Sequence, residues 1–227
     1  MPDPVKDLLK RMKNMADPGR LAGSAHFGIN TGNRFGLKMP EIRRLAKEIG
    51  RDHDLALGLW QSGNGEARIL ATLIADVGRL DDTLMDAWVE DFDSWDVCDQ
   101  CCINLFRRHP GAWSRIDAWA AREEEFVRRA AFALIATLAV HAKKDPDSRF
   151  IELLPLIEAH SDDDRNFVKK AVNWALRQIG KRNRSLNAEA VACAKRLQVL
   201  DTRAANWIAA DALRELQSDK VWARLKP

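Results

Sequence analysis

Apolar residues recur with a helical period along nearly the whole chain of 227 residues, and this pattern constrains the fold most strongly. Between Arg165 and Arg184, for example, Val168, Val172, Ala175 and Ile179 fall on one stripe of a helix. No alternating run of Val, Thr and aromatic residues bounded by tight turns is visible, so strands are not expected. The sequence therefore predicts an all-α protein.

The periodic segments predict twelve helices, each with ends that are defined to within a few residues. They are expected at about residues 3–16, 40–49, 53–61, 65–77, 82–90, 95–108, 111–120, 123–141, 148–159, 164–180, 186–198 and 202–217. Pro40 suits the start of a helix, and Gly50 and Gly180 suit helix ends. The segment 17–38 contains five glycines and few periodic residues, so it is expected to form a loop.

Some helical segments resemble one another at fixed offsets. The segments around Phe126 and Phe167 are similar and lie 41 residues apart, while 170–174 resembles 203–207 at an offset of 33. A helical pair that recurs every 33–47 residues is typical of HEAT-like solenoids. We therefore expect residues 1–227 to form a single domain, a right-handed superhelical array of HEAT-like repeats with a concave binding surface.

The composition is that of a soluble globular protein, with 46% hydrophobic and 30% charged residues. The net charge is only +3, but the charge is unevenly distributed. Residues 81–99 are strongly acidic, whereas 165–184 contain seven basic residues and no acidic one, which predicts a one-sided electrostatic field. No signal peptide or membrane-spanning run is visible, and we expect a cytoplasmic protein that makes no membrane contact.

The four cysteines do not indicate a metal site. Cys98 and Cys101 have the spacing of a ligand pair, but a second pair is missing and Cys102 is adjacent, so buried reduced thiols are the expected state for these and for Cys193. The chain also lacks a phosphate-binding loop and a dinucleotide fingerprint. We expect no metal and no nucleotide cofactor.

Trp174 is the first candidate binding residue. It lies about 140° from the apolar stripe of its helix and within about 60° of three cations, namely Lys170, Arg177 and Lys181. An indole among cations on an outward face suits nucleic acid, which offers both phosphates and flat rings. The alternative is that Trp174 fills a contact between helical repeats under the stems of these cations.

Trp95 and Asp99 form the second candidate site. Ser94 is expected to cap a helix in which Trp95 and Asp99 are four residues apart and therefore share a face, with Asp96 favouring the helix start. A carboxylate beside an indole can stabilise a cation. The alternative is a core Trp95 and an Asp99 that pairs with a surface arginine.

Arg129 is the third candidate. The apolar stripe of its helix contains Val127 and Leu134, with Ala131 and Leu138, and Arg129 points away from this stripe over small residues. Small residues beneath an arginine leave room for a ligand. The alternative is a solvated arginine without a ligand.

These candidates, in this order, resemble the AlkD family of bacterial DNA alkylation repair glycosylases. The resemblance covers most of the chain and rests on the segments 35–37 with Pro40, 43–44, 95–99, 109–110, 128–131 and 170–177. Each motif is weak alone, but their combination is specific. Where the family can offer a tyrosine near the N-terminal loop, this chain, which contains no Tyr, has Ala25-His26-Phe27-Gly28.

The resemblance implies a HEAT-like fold and a monofunctional glycosylase that excises positively charged N3- and N7-alkylated purines from duplex DNA without a cofactor or base flipping. It implies that Trp95 and Trp174 flank the sugar of the damaged nucleotide, that Asp99 stabilises the cationic sugar, and that Arg129 is a phosphate-side cation. Lys170, Arg177 and Lys181 are the further DNA-binding residues expected from the basic helix. The expected state is a monomer associated with the bacterial nucleoid.

Two other functions remain open at this point. The first is a non-catalytic protein that binds branched or distorted DNA on the same scaffold, in which Asp99 has no chemical role. The second is a protein-binding scaffold whose basic face meets an acidic partner.

Overall fold

The computed structural model describes residues 3–226, and this part of the chain contains α-helices, short 3-10 turns and loops but no strand. The all-α prediction is confirmed. None of the helices in this range combines the length and the apolar character that crossing a membrane would require. The helices are α1 Pro4–Asn14, α2 Gly19–His26, α3 Met39–Ile49, α4 His53–Gln61, α5 Gly65–Ile74, α6 Asp82–Glu90, α7 Trp95–Asn104, α8 Ala112–Ala120, α9 Glu125–His141, α10 Asp147–Ile151, α11 Leu154–Ala159, α12 Asn166–Gly180, α13 Arg184–Gln198, α14 Arg203–Leu216 and α15 Asp219–Trp222.

Helix α2 lies inside the segment 17–38, where the sequence predicted only a loop. The prediction was wrong for residues 19–26, because α2 buries none of its residues and therefore leaves no periodic apolar pattern to detect. Its first turn is held instead by the Asp17 carboxylate, which accepts a hydrogen bond from the Gly19 amide and pairs with Arg20. The remainder, residues 27–38, contains no helix.

Two other predicted helices are interrupted. The segment 95–108 divides into α7 and a 3-10 turn at Phe106–Arg108. The segment 148–159 divides into α10 and α11, since Pro155 cannot donate the amide hydrogen bond that a continuous helix needs and is favoured in a first turn. Helix α15, which has only four residues, was not predicted.

The chain divides into two compact units. The first unit ends at Gly111, and the second begins at Ala112. In the first unit the core is centred on α5, which packs against α3, α4 and α7 and is buried on nearly all sides. Leu70 and Ile74 of α5 are fully buried, as are Leu45 of α3 and Leu59 of α4.

In the second unit α9 is the central helix and packs against α8 and α12. The predicted apolar stripe of α12 is confirmed, because Val168, Val172, Ala175 and Ile179 are all fully buried. Phe126 and Phe167, which the repeat pattern had related to each other, pack with ring centroids 5.5 Å apart. The repeat is therefore visible as a direct contact between corresponding residues.

Helices α12, α13 and α14 meet closely around Gly180. A Cβ atom on Gly180 would lie 2.8 Å from Leu216 and 2.9 Å from Ala190, so only glycine fits there. The buried Asn187 side chain donates to the backbone oxygens of both Gly180 and Leu216. These contacts fix α12 against the two helices that follow it.

The start of α12 is held by a buried carboxylate. Asp163 is 7% exposed and accepts hydrogen bonds from Arg128 of α9, at 2.9 Å, and from Arg165. Burial raises the pKa of Asp163, but the hydrogen bonds and charges of Arg165 and Arg128 outweigh it and lower the pKa to about 2. The ion pairs therefore connect α9 to the loop that leads into α12.

We expect Asp163→Asn to lower the free energy of unfolding by about 2 kcal/mol at pH 7. The pKa of Asp163 is lower in the native state than in the unfolded state, so the charged carboxylate stabilises the native state. This contribution is present above about pH 4 and is lost as the pH falls towards 2, where Asp163 becomes protonated. Urea denaturation of both proteins at pH 7 and pH 2.5 measures the difference. Asp164→Asn is the matched control, since Asp164 is exposed; a wild-type advantage that stays equal at both pH values would contradict the assignment.

Candidate nucleic-acid interface

Trp95 and Asp99 lie one turn apart on α7 and share a partly exposed face of the first unit. Trp95 is the first residue of the helix, and its Nε1 donates to the Phe27 carbonyl oxygen at 3.1 Å. Val97, Cys98 and the two following cysteines are fully buried on the rest of the helix. The core side of α7 thus fixes the direction in which Trp95 and Asp99 point.

A bidentate ion pair anchors the start of α7. Both terminal nitrogens of Arg34 donate to the Asp96 carboxylate at 2.8 Å, and these side chains are only 6% and 16% exposed. Arg34 passes so close to α5 that a Cβ atom on Gly65 would lie 2.1 Å from its Nε. Asp96 was expected to favour the helix start, and its main contact is this long-range pair with the 27–38 loop.

Ser94 stands at the N-cap position, as predicted, but its hydroxyl does not cap the helix. The hydroxyl donates to Asp96 at 2.7 Å and accepts from the Asn30 amide at 3.2 Å. The buried Glu66 accepts the amides of Phe35 and Gly36 in the same loop. Carboxylates of α5 and α7 therefore hold the 27–38 loop in place.

Phe27 is a residue whose position the sequence did not reveal. The residue is 71% exposed, although its carbonyl oxygen accepts a hydrogen bond from the Trp95 indole. A large exposed aromatic ring beside a candidate site is a plain signal in the structure. The sequence did not indicate an exposed Phe27, because α2 and the loop that follows it lack apolar periodicity.

We expect Asp96→Asn to destabilise the first unit by about 3 kcal/mol, because it leaves the buried Arg34 guanidinium without its counter-charge. Hydrogen exchange at the amides of residues 27–38 should accelerate, since the loop loses its anchor to α7. Asp93→Asn is the control, because the exposed Asp93 makes only a surface hydrogen bond with Asn30. Unchanged exchange in the loop of Asp96→Asn would show that the ion pair does not hold it.

In the second unit, Arg129 lies on α9 and is 5% exposed, so it is neither solvated nor open on a surface. Its Nη1 donates to the Phe167 carbonyl at 2.6 Å, in the first turn of α12. The small residues of the same helix face, Ala133 and Ala136, are also fully buried. Arg129 thus places a positive charge beneath the N-terminal turn of α12.

Trp174 is half-buried on α12, two turns after Phe167 and about 10 Å farther along the helix axis. No side chain or carbonyl among residues 3–226 accepts a hydrogen bond from its indole N–H. A partly buried tryptophan ordinarily finds a partner for this group. The indole of Trp174 is therefore available to a bound molecule, whereas that of Trp95 is already bonded to Phe27.

The cations around Trp174 are more strongly compensated than the sequence suggested. Arg177 contacts Glu215 at 2.7 Å and Asp211 at 3.4 Å, and Lys181 contacts Glu215 at 2.8 Å. Lys170 is exposed and forms no ion pair within the described range. Carboxylates of α14 thus share two of the three cations that the sequence placed beside Trp174.

The cysteines of both units are free and buried. Burial raises the pKa of Cys101 well above its usual range, and burial together with Glu158 raises that of Cys193 to about 12, so both are protonated thiols at neutral pH. Within residues 3–226, no group of three His, Cys, Asp or Glu side chains is arranged to hold a metal ion.

Comparison with known proteins identifies a family and a fold. The model of the family described as "DNA alkylation repair enzyme" matches residues 8–216. A solved structure described as a new family of proteins related to the HEAT-like repeat DNA glycosylases, with affinity for branched DNA structures, is similar with a TM-score of 0.77. The two chains are 18% identical, and the match covers 93% of this chain and 94% of that one. The chain therefore has the HEAT-like repeat fold that its sequence predicted. Comparison with curated protein sequences gives no significant match.

Proposed function

Because the chain belongs to the family of DNA alkylation repair enzymes, we propose that it is a monofunctional DNA glycosylase for positively charged N3- and N7-alkylated purines. The observation that carries this proposal is the arrangement of Trp95 and Asp99, an indole and a carboxylate held one turn apart on a partly exposed face of α7. The buried Arg34–Asp96 pair keeps that face in place.

The chemistry of the substrate requires little from the protein. An alkylated purine already carries a positive charge, so it departs without a general acid to protonate it. The group that needs stabilisation is the sugar, which becomes an oxocarbenium-like cation as the glycosidic bond breaks. A single carboxylate and aromatic faces supply negative potential at the sugar and suffice for this task.

In this proposal Asp99 stabilises the cationic sugar and orients the attacking water. Trp95 lines the sugar with its indole face, while its N–H stays bonded to the Phe27 carbonyl. In the second unit, Trp174 offers its half-buried indole to the DNA.

The phosphate backbone is bound by the second unit. The buried charge of Arg129 and the N-terminal dipole of α12 act together, since both favour an anion at the start of that helix. Lys170 and Arg177 bind phosphates farther along α12 and Lys181 binds one just after its end, while Arg177 and Lys181 also pair with Glu215. Binding should therefore weaken as salt is added.

We expect Asp99→Asn to reduce the rate of 7-methylguanine release from methylated duplex DNA by about 10² or more, because it removes the charge that stabilises the sugar cation. The affinity for DNA should stay within a few-fold of wild type. Single-turnover release and fluorescence anisotropy measure these two quantities.

Asp93→Asn serves as the matched control, because it removes an exposed carboxylate from the same acidic segment. Its release rate should remain at the wild-type value. Equal rates for wild type and Asp99→Asn would remove Asp99 from the mechanism, whereas equal losses in both variants would point to general electrostatics.

A second function, non-catalytic binding of branched or distorted DNA, is favoured by one observation. Arg129 is buried against a backbone carbonyl and does not present an open guanidinium fork. The structurally similar family is described as having affinity for branched DNA. Salt-sensitive binding of a four-way junction without any release of methylated bases would support this function over the glycosylase.

A further inference from the structure

A cleft of about 360 Å³ lies at the C-terminal end of the second unit. It is lined by Lys181, Glu215, Ser218, Lys220, Val221, Arg224 and Leu225. Five of its seven lining residues are charged or polar, whereas pockets for small organic ligands are lined mainly by apolar side chains. The composition of this cleft therefore favours a charged ligand.

The charge of the cleft is positive. Three cations and one carboxylate line it, and Glu215 already accepts both Lys181 and Arg177. Burial raises the pKa of Glu215, but Lys181 and Arg177 more than offset this, so the pKa lies below its ordinary value and the carboxylate is charged at neutral pH. Lys220 and Arg224 are exposed and form no ion pair within residues 3–226.

The segment that supplies these cations is held to the rest of the unit. The Arg184 amide donates to the Lys226 carbonyl at 3.0 Å, which ties the segment to the start of α13. The Arg184 guanidinium lies 5.3 Å from the ring centre of Trp222, which is 51% exposed. An exposed indole beside a guanidinium is a surface on which nucleic acid bases or sugars can stack.

We propose that this cleft is a second DNA-binding site, in which Lys220 and Arg224 bind the phosphodiester backbone and Trp222 contacts an adjacent sugar or base. The three proposed contact residues, Lys220, Trp222 and Arg224, follow residue 216, where the family match ends. The inference rests on the proposed DNA function. Lys181, which lines the cleft, directly follows the last residue of α12.

Glu215 is the regulating group of this site. Its carboxylate competes with phosphate for Lys181 and Arg177, because both cations are within 2.8 Å of its oxygens. Removing its charge should release Lys181 to bind DNA and leave Arg177 with Asp211 alone, at 3.4 Å. A gain of binding is a useful readout, since a misfolded protein would not show it.

The test measures the affinity for a 25-base-pair duplex as a function of salt concentration. For Lys220→Gln/Arg224→Gln, the slope of log affinity against log salt should become shallower by about two, one for each lost phosphate contact. For Glu215→Gln the affinity should rise by at least threefold and the slope should steepen.

Lys143→Gln/Lys144→Gln is the matched control, because these two lysines are exposed in the same unit and line no part of the cleft. The control should retain the wild-type slope. An equal change in slope for both double variants would overturn the proposal, as would no change in Lys220→Gln/Arg224→Gln. Circular dichroism verifies that each variant is folded. If the double variant does not fold, the single variants Lys220→Gln and Arg224→Gln are measured in its place.

Two further arms identify the source of the phosphate. Vesicles with 30% phosphatidylserine and inorganic phosphate are titrated against wild type and the Lys220→Gln/Arg224→Gln variant. A loss of binding confined to the vesicles or to inorganic phosphate, with DNA binding unchanged, would contradict a DNA site.

Base release distinguishes this inference from the proposed function. At saturating protein, Lys220→Gln/Arg224→Gln should release 7-methylguanine at the wild-type rate, because Asp99 is untouched. Absence of release by the wild type together with the predicted change in slope would refute the glycosylase and retain the C-terminal site. Normal release without the change in slope would retain the glycosylase and refute the C-terminal site.

Discussion

The candidate site depends on the ion pair between Arg34 and Asp96. This pair joins the start of α7 to a loop that has no helical hydrogen bonds of its own, and both side chains are largely buried. It holds the loop against α7, where the Phe27 carbonyl receives the Trp95 indole. Without it, one buried cation would have no counter-charge, and the aromatic face of α7 would lose its support.

The second unit uses buried charge in a similar way. Asp163, which precedes α12, accepts hydrogen bonds from Arg128 and Arg165. Arg129 donates a hydrogen bond to a carbonyl oxygen in the first turn of α12. These interactions set the position of α12 along its own axis, while its apolar stripe sets its rotation. Trp174 lies off this stripe and is half-buried. In both units, charged side chains thus fix the position of the helix that carries a candidate tryptophan.

The sequence predicted what depends on local periodicity. Helices with an apolar stripe, such as α12, were found because burial repeats every turn. Helix α2 was missed because it buries nothing, and the compensation of Arg177 and Lys181 was missed because Glu215 is 38 and 34 positions away. Likewise, nothing in the motif around Asp96 indicated that its partner would be Arg34, 62 residues earlier. Long-range ion pairs leave no periodic trace in a single sequence.

The most direct test of the account compares affinity for two DNA duplexes, one with a cationic pyrrolidine in place of the sugar and one with neutral tetrahydrofuran. If Asp99 faces the reacting sugar, the wild type should bind the cationic duplex at least about tenfold more tightly, about 1.4 kcal/mol, and Asp99→Asn should lose this preference. Equal affinity of the wild type for both duplexes, or a preference that Asp99→Asn retains in full, would contradict the claim that this carboxylate stabilises a positive charge on the sugar.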